Sequence, residues 1–533
     1  MSQLSYLAEP DVLSQAPAET AAAEQKRGRK AGQPGAGKKL LTQQSVDQAI
    51  KQVCDILRRS NCAGALQYVP ELTWMLFLRI LDERETREAE EAEAVGQPFE
   101  YSIKAPYRWQ DWAAPGGATR VELTTVKPRG SYFEFINTEL LPYLKELENQ
   151  PNAAPRQRVI AEILSGVERT RVDTEKNLLD ILDKLHGIKE EAIDPTHVFP
   201  LSQVFEGLLL KMGEKGNDGG QFFTPREVIR LLIQVLDPKP GQTVYDPSCG
   251  TAGFLAQAYD HLLPKCDTPD KLLNLKRNTF FGREKDDVIY PIALANLILH
   301  GVDDPHIWHG NTLTGQEQNG SLFAQAPAQY NIVLSNPPFG GKEGPEAQSR
   351  FAFKTSATQV LFLQHVLDSL APGGSCGMVL DEGLLFRTSD AAFVQTKRRL
   401  LDSCDLWCVL SLPGGVFSAA GAGVKTSLLF FTKGKPTEKV WYYDLTDTKV
   451  GKRTPMTLDR FADFLALLPT RANSERSWTV TRDELEKRRY DLKAVNPHAR
   501  NTGDDRSPGD LLKVLNEQNS TLQTALEKLR GLL

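Results

Sequence analysis

The chain carries no surplus of positive charge. Its 533 residues hold 63 lysines and arginines against 68 aspartates and glutamates, a net −5 at neutral pH. A protein that grips a duplex unaided shows a basic excess, because phosphate neutralisation dominates the affinity. Any work on nucleic acid would therefore lean on a partner. Nor is there an apolar run near the ~18–20 residues that cross a bilayer, or an apolar signal core at the N-terminus. A cytoplasmic chain with no membrane attachment is expected. Cysteines number only seven, at 54, 62, 249, 266, 376, 404 and 408, without a C-x-x-C pair or a ligand-like cluster. That spacing argues against a disulfide framework or a zinc site, and no metal is expected. Cys404 and Cys408 flank an apolar run and read as core. The dinucleotide fingerprint G-x-G-x-x-G and the lysine of a phosphate-binding P-loop are both missing.

What is present is an ordinary soluble composition, 41% hydrophobic and 25% charged, in a chain longer than one core usually supports. Residues 1–42 hold almost no large apolar side chains and two basic clusters, Lys26-Arg27-Gly28-Arg29-Lys30 and Lys38-Lys39. They read as a disordered basic tail. Residues 43–200 read as a mainly helical domain. Ser45 is placed to cap a helix with Val46, Ile50, Val53 and Leu57 at helical spacing. A second helix is expected from about Glu71 through Leu81 into a solvated acidic extension at 82–88. Trp109, Trp112, Tyr132, Phe133 and Phe135 are core candidates, and helical pattern returns at 159–164 and 178–185.

From Phe205 strands alternate with helices, the sign of a parallel sheet, and residues 201–470 read as a doubly wound α/β domain. It opens on Gln221-Phe222-Phe223-Thr224-Pro225-Arg226-Glu227, where Thr224 can cap a helix with Pro225 at its first position and Glu227 at its third. Next comes Asp246-Pro247-Ser248-Cys249-Gly250-Thr251-Ala252-Gly253-Phe254: a strand end, an acid, a glycine-rich turn, then a helix over 254–263. Glycines admit a ligand close to the backbone, and freed helix N–H groups favour an anion. The acid ahead of the turn suits an ammonium group. S-adenosylmethionine, with amino, carboxylate and sulfonium groups, fits both ends. Cys249 reads as structural. Glu284, at the end of the following strand, is placed to take ribose hydroxyls, and Asn311 to read the adenine amino group of the same cofactor.

The strand 330–335 then stops in Asn336-Pro337-Pro338-Phe339. Two prolines stiffen the loop and hold the residue before each of them extended. The Asn336 side-chain oxygen and the Pro337 carbonyl can both accept from one NH2 group, localising its lone pair. Phe339 offers a face for a planar base, a contact worth ~1–3 kcal/mol. This tetrapeptide resembles the amino-methyltransferase signature of DNA adenine-N6 enzymes. Together with the two motifs before it, with Leu412-Pro413-Gly414-Gly415-Val416-Phe417, Gly423-Val424-Lys425-Thr426 and Arg489-Tyr490-Asp491-Leu492, it makes nearly the whole chain beyond the tail similar to the modification (methyltransferase) subunits of type I restriction–modification systems.

The resemblance implies a Rossmann-like methyltransferase sheet behind a helical N-terminal domain, with a C-terminal helical region at 471–533. The implied reaction is direct methyl transfer from S-adenosylmethionine to adenine N6 in double-stranded DNA. Asn336, Pro337, Pro338 and Phe339 are then catalytic. Gln221, Phe222, Phe223, Thr224, Pro225, Arg226, Asp246, Gly250, Thr251, Ala252, Gly253, Glu284 and Asn311 are then cofactor-binding. Two positions depart from the pattern, with Asn311 standing where Asp is commoner and Asp381 where Pro is expected. No Pro-Cys dipeptide occurs, against the cysteine route of cytosine methylation. A glutamine amide of a protein is the alternative substrate, though those enzymes carry Tyr in place of Phe339; a non-catalytic scaffold is a third reading.

No long insertion follows Phe339 to read base sequence, so a separate specificity subunit is expected, with a restriction or translocase subunit as a further partner. Leu512, Asn519, Leu526 and Leu533 recur every seven residues with Leu515, Leu522 and Leu529 between them. This a/d seam, with one polar a position, points to 508–533 as the segment that pairs with the specificity subunit, against packing on its own domain. The whole reading requires Asn336 to lie beside the turn at 250–253.

Overall fold

The computed structural model describes residues 43–60, 62, 65–188, 224–417, 424–451, 454–493, 495–498 and 507–531. The basic tail, Gln221, Phe222, Phe223, Gly423 and Leu533 fall outside these residues. Helices Gln43–Arg59, Ala65–Ala94, Pro155–Leu164 and Glu175–His186 build the N-terminal part. Ser45 lies within the first helix instead of capping it, and the second starts ahead of Glu71 with Pro70 inside. Val53, Leu57, Leu72, Met75, Trp109, Trp112 and Tyr132 are buried together in its core. The acidic extension is solvated only in part, at Arg87 and on the half-buried Glu83, Thr86 and Glu88. Asp82, Arg84 and Glu85 are buried, because Arg108, Arg156 and Asp303 arrive from other segments to pair with this stretch.

Among the described residues ten strands form one sheet: β1 Val244–Asp246, β2 Phe280–Glu284, β3 His306–Asn311, β4 Gln316–Asn319, β5 Tyr330–Ser335, β6 Leu370–Asp381, β7 Cys404–Ser411, β8 Thr426–Lys433, β9 Lys439–Asp444 and β10 Ser477–Thr481. Their order is β10-β9-β7-β8-β6-β5-β1-β2-β3-β4. Successive side chains of a strand face opposite sides, so Val244 joins the core shared with the helical domain while Tyr245 enters the core beneath helix Thr358–Ser369. Both faces are covered, which is why β1 and β5 are almost unbroken apolar runs. The order reverses beside β1, which runs parallel to β2 on one side and β5 on the other. Ligands of open α/β sheets bind at such a reversal, beyond the carboxyl ends of the strands. β8 lies antiparallel between β6 and β7.

The sheet also runs past the expected boundary at 470. β10 pairs antiparallel with β9 and is followed by helix Arg482–Lys487, so both belong with the sheet. The C-terminal helical part is the separate helix Pro508–Arg530.

Candidate active site

At the carboxyl end of β1 the chain makes a tight turn into helix Gly253–Leu262. The Ser248 N–H donates to Asp246 Oδ1 at 3.0 Å, and Gly250 and Ala252 adopt φ of 55° and 62°. That left-handed conformation is easy for glycine and strained for alanine. Neighbours hold the turn. Thr312 Oγ1 donates to the Pro247 carbonyl and Asn296 Nδ2 to the Thr251 carbonyl, both at 2.8 Å. Cys249 packs on β2: a Cβ at Gly282 would lie 3.1 Å from its sulfur. Burial pushes its thiol well above the ordinary value, so it stays neutral and structural.

Glu284 closes the turn from the next strand. Its Oε2 accepts from the Gly250 N–H at 2.9 Å, and its Oε1 accepts from the N–H groups of Lys285 and Asp286, both at 2.8 Å. Oε1 is thus saturated, and a further hydroxyl has one lone pair of Oε2 to meet. Burial raises the Glu284 carboxyl to about 7, against the pull of these backbone donors. Asp246 is more extreme. It is 1% exposed, and burial raises it to about 8, with Glu284 adding to the Ser248-opposed shift. Its Oδ2 is buried without a hydrogen-bond partner, an acceptor left over among the described residues.

β5 delivers the proline loop beside this turn. Ser335 Oγ lies 3.4 Å from Ser248 Oγ, which brings Asn336 next to the glycine turn as the reading requires. Asn336 Nδ2 donates to Thr224 Oγ1 at 2.9 Å, while its Oδ1 is buried with no partner among the described residues. Thr224 therefore does not cap its helix. Arg226–Leu236 starts after Pro225 with no side-chain cap bond, because the hydroxyl is turned to Asn336. The Pro337 carbonyl is met by Gln359 Nε2 at 3.5 Å, and Gln359 Oε1 accepts from the Asp381 N–H at 3.2 Å. Asp381 in turn caps helix Glu382–Phe386 through the Leu384 N–H, a use for the acid where Pro was expected. Phe339 is half-buried and edge-on to Phe417, ring centres 5.5 Å apart.

Gly250, Glu284, Asn311, Asn336 and Pro338 line one cavity of about 420 Å³. Asp246, Thr251, Ala252, Gly253, Thr224, Pro225, Arg226, Pro337 and Phe339 stand outside its lining. Asn311 Oδ1 accepts from the N–H groups of Leu313 and Thr314. Its amide nitrogen has no hydrogen bond among the described residues, and as a donor it suits a ring nitrogen better than an amino group. Sequence reasoning missed Lys285, Asp286, Thr312 and Phe362, which also line the cavity, and Gln359; none belongs to a motif. A larger cleft of about 740 Å³ in the helical domain, around Glu71 and Thr170, holds none of the motif residues.

Residues 46–185 match the family model described as HsdM N-terminal domain, and residues 197–505 that described as N-6 DNA Methylase. Over 511 residues the chain is 31% identical to the Type I restriction enzyme EcoEI methylase subunit of Escherichia coli, covering 92% of this chain and 98% of that one. Among solved structures, it is similar to a chain from the complex assembly and conformational transition of the type I R-M system, at TM-score 0.66 and 34% identity, covering 92% and 99% of the two chains. It is also similar to a modification subunit from Vibrio vulnificus YJ016 assigned to a type I restriction enzyme, at TM-score 0.74 and 30% identity, covering 87% and 99%.

Proposed function

The chain belongs to the N-6 DNA methylase family, among the methylase subunits of type I restriction–modification systems, and on that premise we propose that Asn336 and Pro337 activate the exocyclic amine of adenine beside a cavity that takes S-adenosylmethionine. The observation that carries this is the buried, unpartnered Asn336 Oδ1 at the edge of the cavity that Gly250 and Glu284 also line. An orphaned acceptor at the end of a stiff loop needs a donor, and an NH2 group supplies one.

The residues present fit the cofactor. Asp246 keeps an unused carboxylate oxygen for an ammonium group, Oε2 of Glu284 has a lone pair for a ribose hydroxyl, and the Asn311 amide nitrogen can meet an adenine ring nitrogen. When bound, S-adenosylmethionine supplies an electrophilic methyl group on sulfur. Everything else falls to this chain's own groups. An adenine amine is out of reach inside the duplex, so the base leaves the stack. Phe339 then lies in the loop for the ring to stack on, and Asn336 Oδ1 and the Pro337 carbonyl accept hydrogen bonds from the two N–H groups of the amine. The contribution is positioning and preorganised electrostatics.

The partner assignments rest on surface and charge. The net −5 leaves duplex affinity and sequence reading to a specificity subunit, and the exposed leucines of helix Pro508–Arg530 suit a helix of that subunit. A restriction or translocase subunit completes such a system. No helix among the described residues is long and apolar enough to cross a membrane, and the free, mostly buried cysteines suit the reducing cytoplasm. The test is transfer of a tritiated methyl group to DNA with and without the specificity subunit. Label should appear as N6-methyladenine, and N336A should lower the rate by about a hundredfold or more. Label in a peptide fraction would turn the assignment to a protein amide, and equal rates for wild type and N336A would remove Asn336 from the chemistry.

A further inference from the structure

We propose that Thr224 is a positioning residue for the transfer, anchoring the far end of the Asn336 amide so that Oδ1 is left standing in the path of the adenine amine; this rests on the role given to Asn336 above. An amide side chain turns easily about its last bond, and its terminal torsion is broad. Stiffening the backbone with two prolines fixes where the side chain starts but not where its oxygen ends. Something must hold the other end.

Thr224 does so. Asn336 Nδ2 donates to Thr224 Oγ1 at 2.9 Å across 112 residues of sequence, and Oδ1, the opposite end of the same plane, is buried without a partner. The hydroxyl comes from ahead of helix Arg226–Leu236 and the amide from the end of β5, so the contact is a product of the fold and not of a local turn. Among the described residues Thr224 Oγ1 has no other hydrogen bond. It does not cap the helix, and it does not line the cavity beside Asn336. Expected from sequence among the cofactor contacts, it meets the catalytic amide in this structure. A valine of nearly the same shape removes the acceptor. The part-buried NH2 end then loses its partner, which costs free energy, and the amide rotates to find water, carrying the oxygen off the amine's approach.

The test uses the full chain assembled with its specificity subunit, single-turnover methyl transfer to a cognate duplex, and calorimetric titration with S-adenosylmethionine. T224V should slow transfer about tenfold at saturating cofactor, the worth of one buried hydrogen bond, with cofactor affinity kept. T224S, which keeps the hydroxyl, should recover most of the rate. In an N336A background T224V should add no further loss, because a residue that acts only through the amide has nothing left to position. T224A replaces T224V if the valine variant melts early. The inference is overturned if T224V weakens cofactor binding while sparing the saturated rate, if T224S is as slow as T224V, or if T224V costs another tenfold on top of N336A. A wild type and N336A of equal rate would defeat the reading of Asn336 itself, whatever Thr224 does.

Discussion

A carboxyl group that burial has raised resists ionising until something cationic arrives. Asp246 at about 8 and Glu284 at about 7 both sit above the ordinary carboxylate range, so the folded chain keeps protons that the unfolded chain has already released. Unfolding therefore releases protons between about pH 4 and pH 8, and the ligand-free protein loses stability as pH rises through that window. A cation-bearing cofactor works the other way, because it needs the anions. Its affinity should climb from about pH 6 to about pH 8 as the carboxyls ionise, and fall beyond that as the cofactor's own ammonium group, an α-amine with a pKa of about 8, loses its proton. Calorimetric titrations at several pH values read this directly. D246N, which keeps the oxygen that accepts from Ser248 but cannot ionise, should flatten the upper part of the rise. An affinity that falls across the same range would mean that neither carboxylate meets a positive group.

Helix Pro508–Arg530 is an element without a home in its own chain. Ser507 caps it through the Asp510 N–H, with Pro508 in the first turn, so its start is locally encoded. Its seam is another matter: Leu512, Leu515, Leu522, Leu526 and Leu529 are between 43% and 61% exposed, and among the described residues of the helix Leu511 and Val514 alone are partly buried apolar side chains. Deleting 508–533 should abolish co-purification of the specificity subunit while leaving the melting temperature and cofactor affinity of the remaining chain in place. Loss of cofactor binding on deletion would mean the helix belongs to the catalytic body. Elements of this kind, and the motif-bearing β1, β2 and β5, are legible in sequence because their signals are local: a cap, a heptad, an apolar run ending in glycines or prolines. β4 is not, since Gln316–Asn319 is Gln-Glu-Gln-Asn and is a strand only because β3 offers it a partner. β10 escaped because its pairing partner lies across a helix and loop. Thr224 was misassigned for the same reason at smaller scale, since a cap is predicted from neighbours and a contact 112 residues away has no local trace.

The whole molecule depends on a charge cluster that joins the helical domain to the sheet. Arg156 bonds Glu85 at 3.1 Å and Glu88 at 2.8 Å on helix Ala65–Ala94, and Asp303 at 2.7 Å beyond helix Ile289–His300. Arg84 adds Glu88 at 2.8 Å and donates to the Ile298 carbonyl. One guanidinium thus serves three carboxylates, which its planar set of donors allows and an ammonium does not. Burial pushes the Glu85 carboxyl up against Ser102 and Arg156, whereas Glu88, also pushed up by burial, is held below its ordinary value by Arg156 and Arg84. Removing Arg156 leaves three acids facing one another with too little positive charge, and breaking such a buried pair costs about 3–5 kcal/mol. R156A should lower the urea midpoint accordingly near pH 8. Without the guanidinium the Glu85 carboxyl rises further and that of Glu88 loses what holds it down, so the penalty is full at high pH and fades as these two carboxyls take up protons. The gap between R156A and wild type should therefore narrow near pH 5.5. R156K should fall between the two, because one ammonium reaches fewer of the three partners. A gap that stays constant with pH would locate the loss in packing and take away the cluster's role in fastening the helical domain beside the helix that leads into β3 and Asn311.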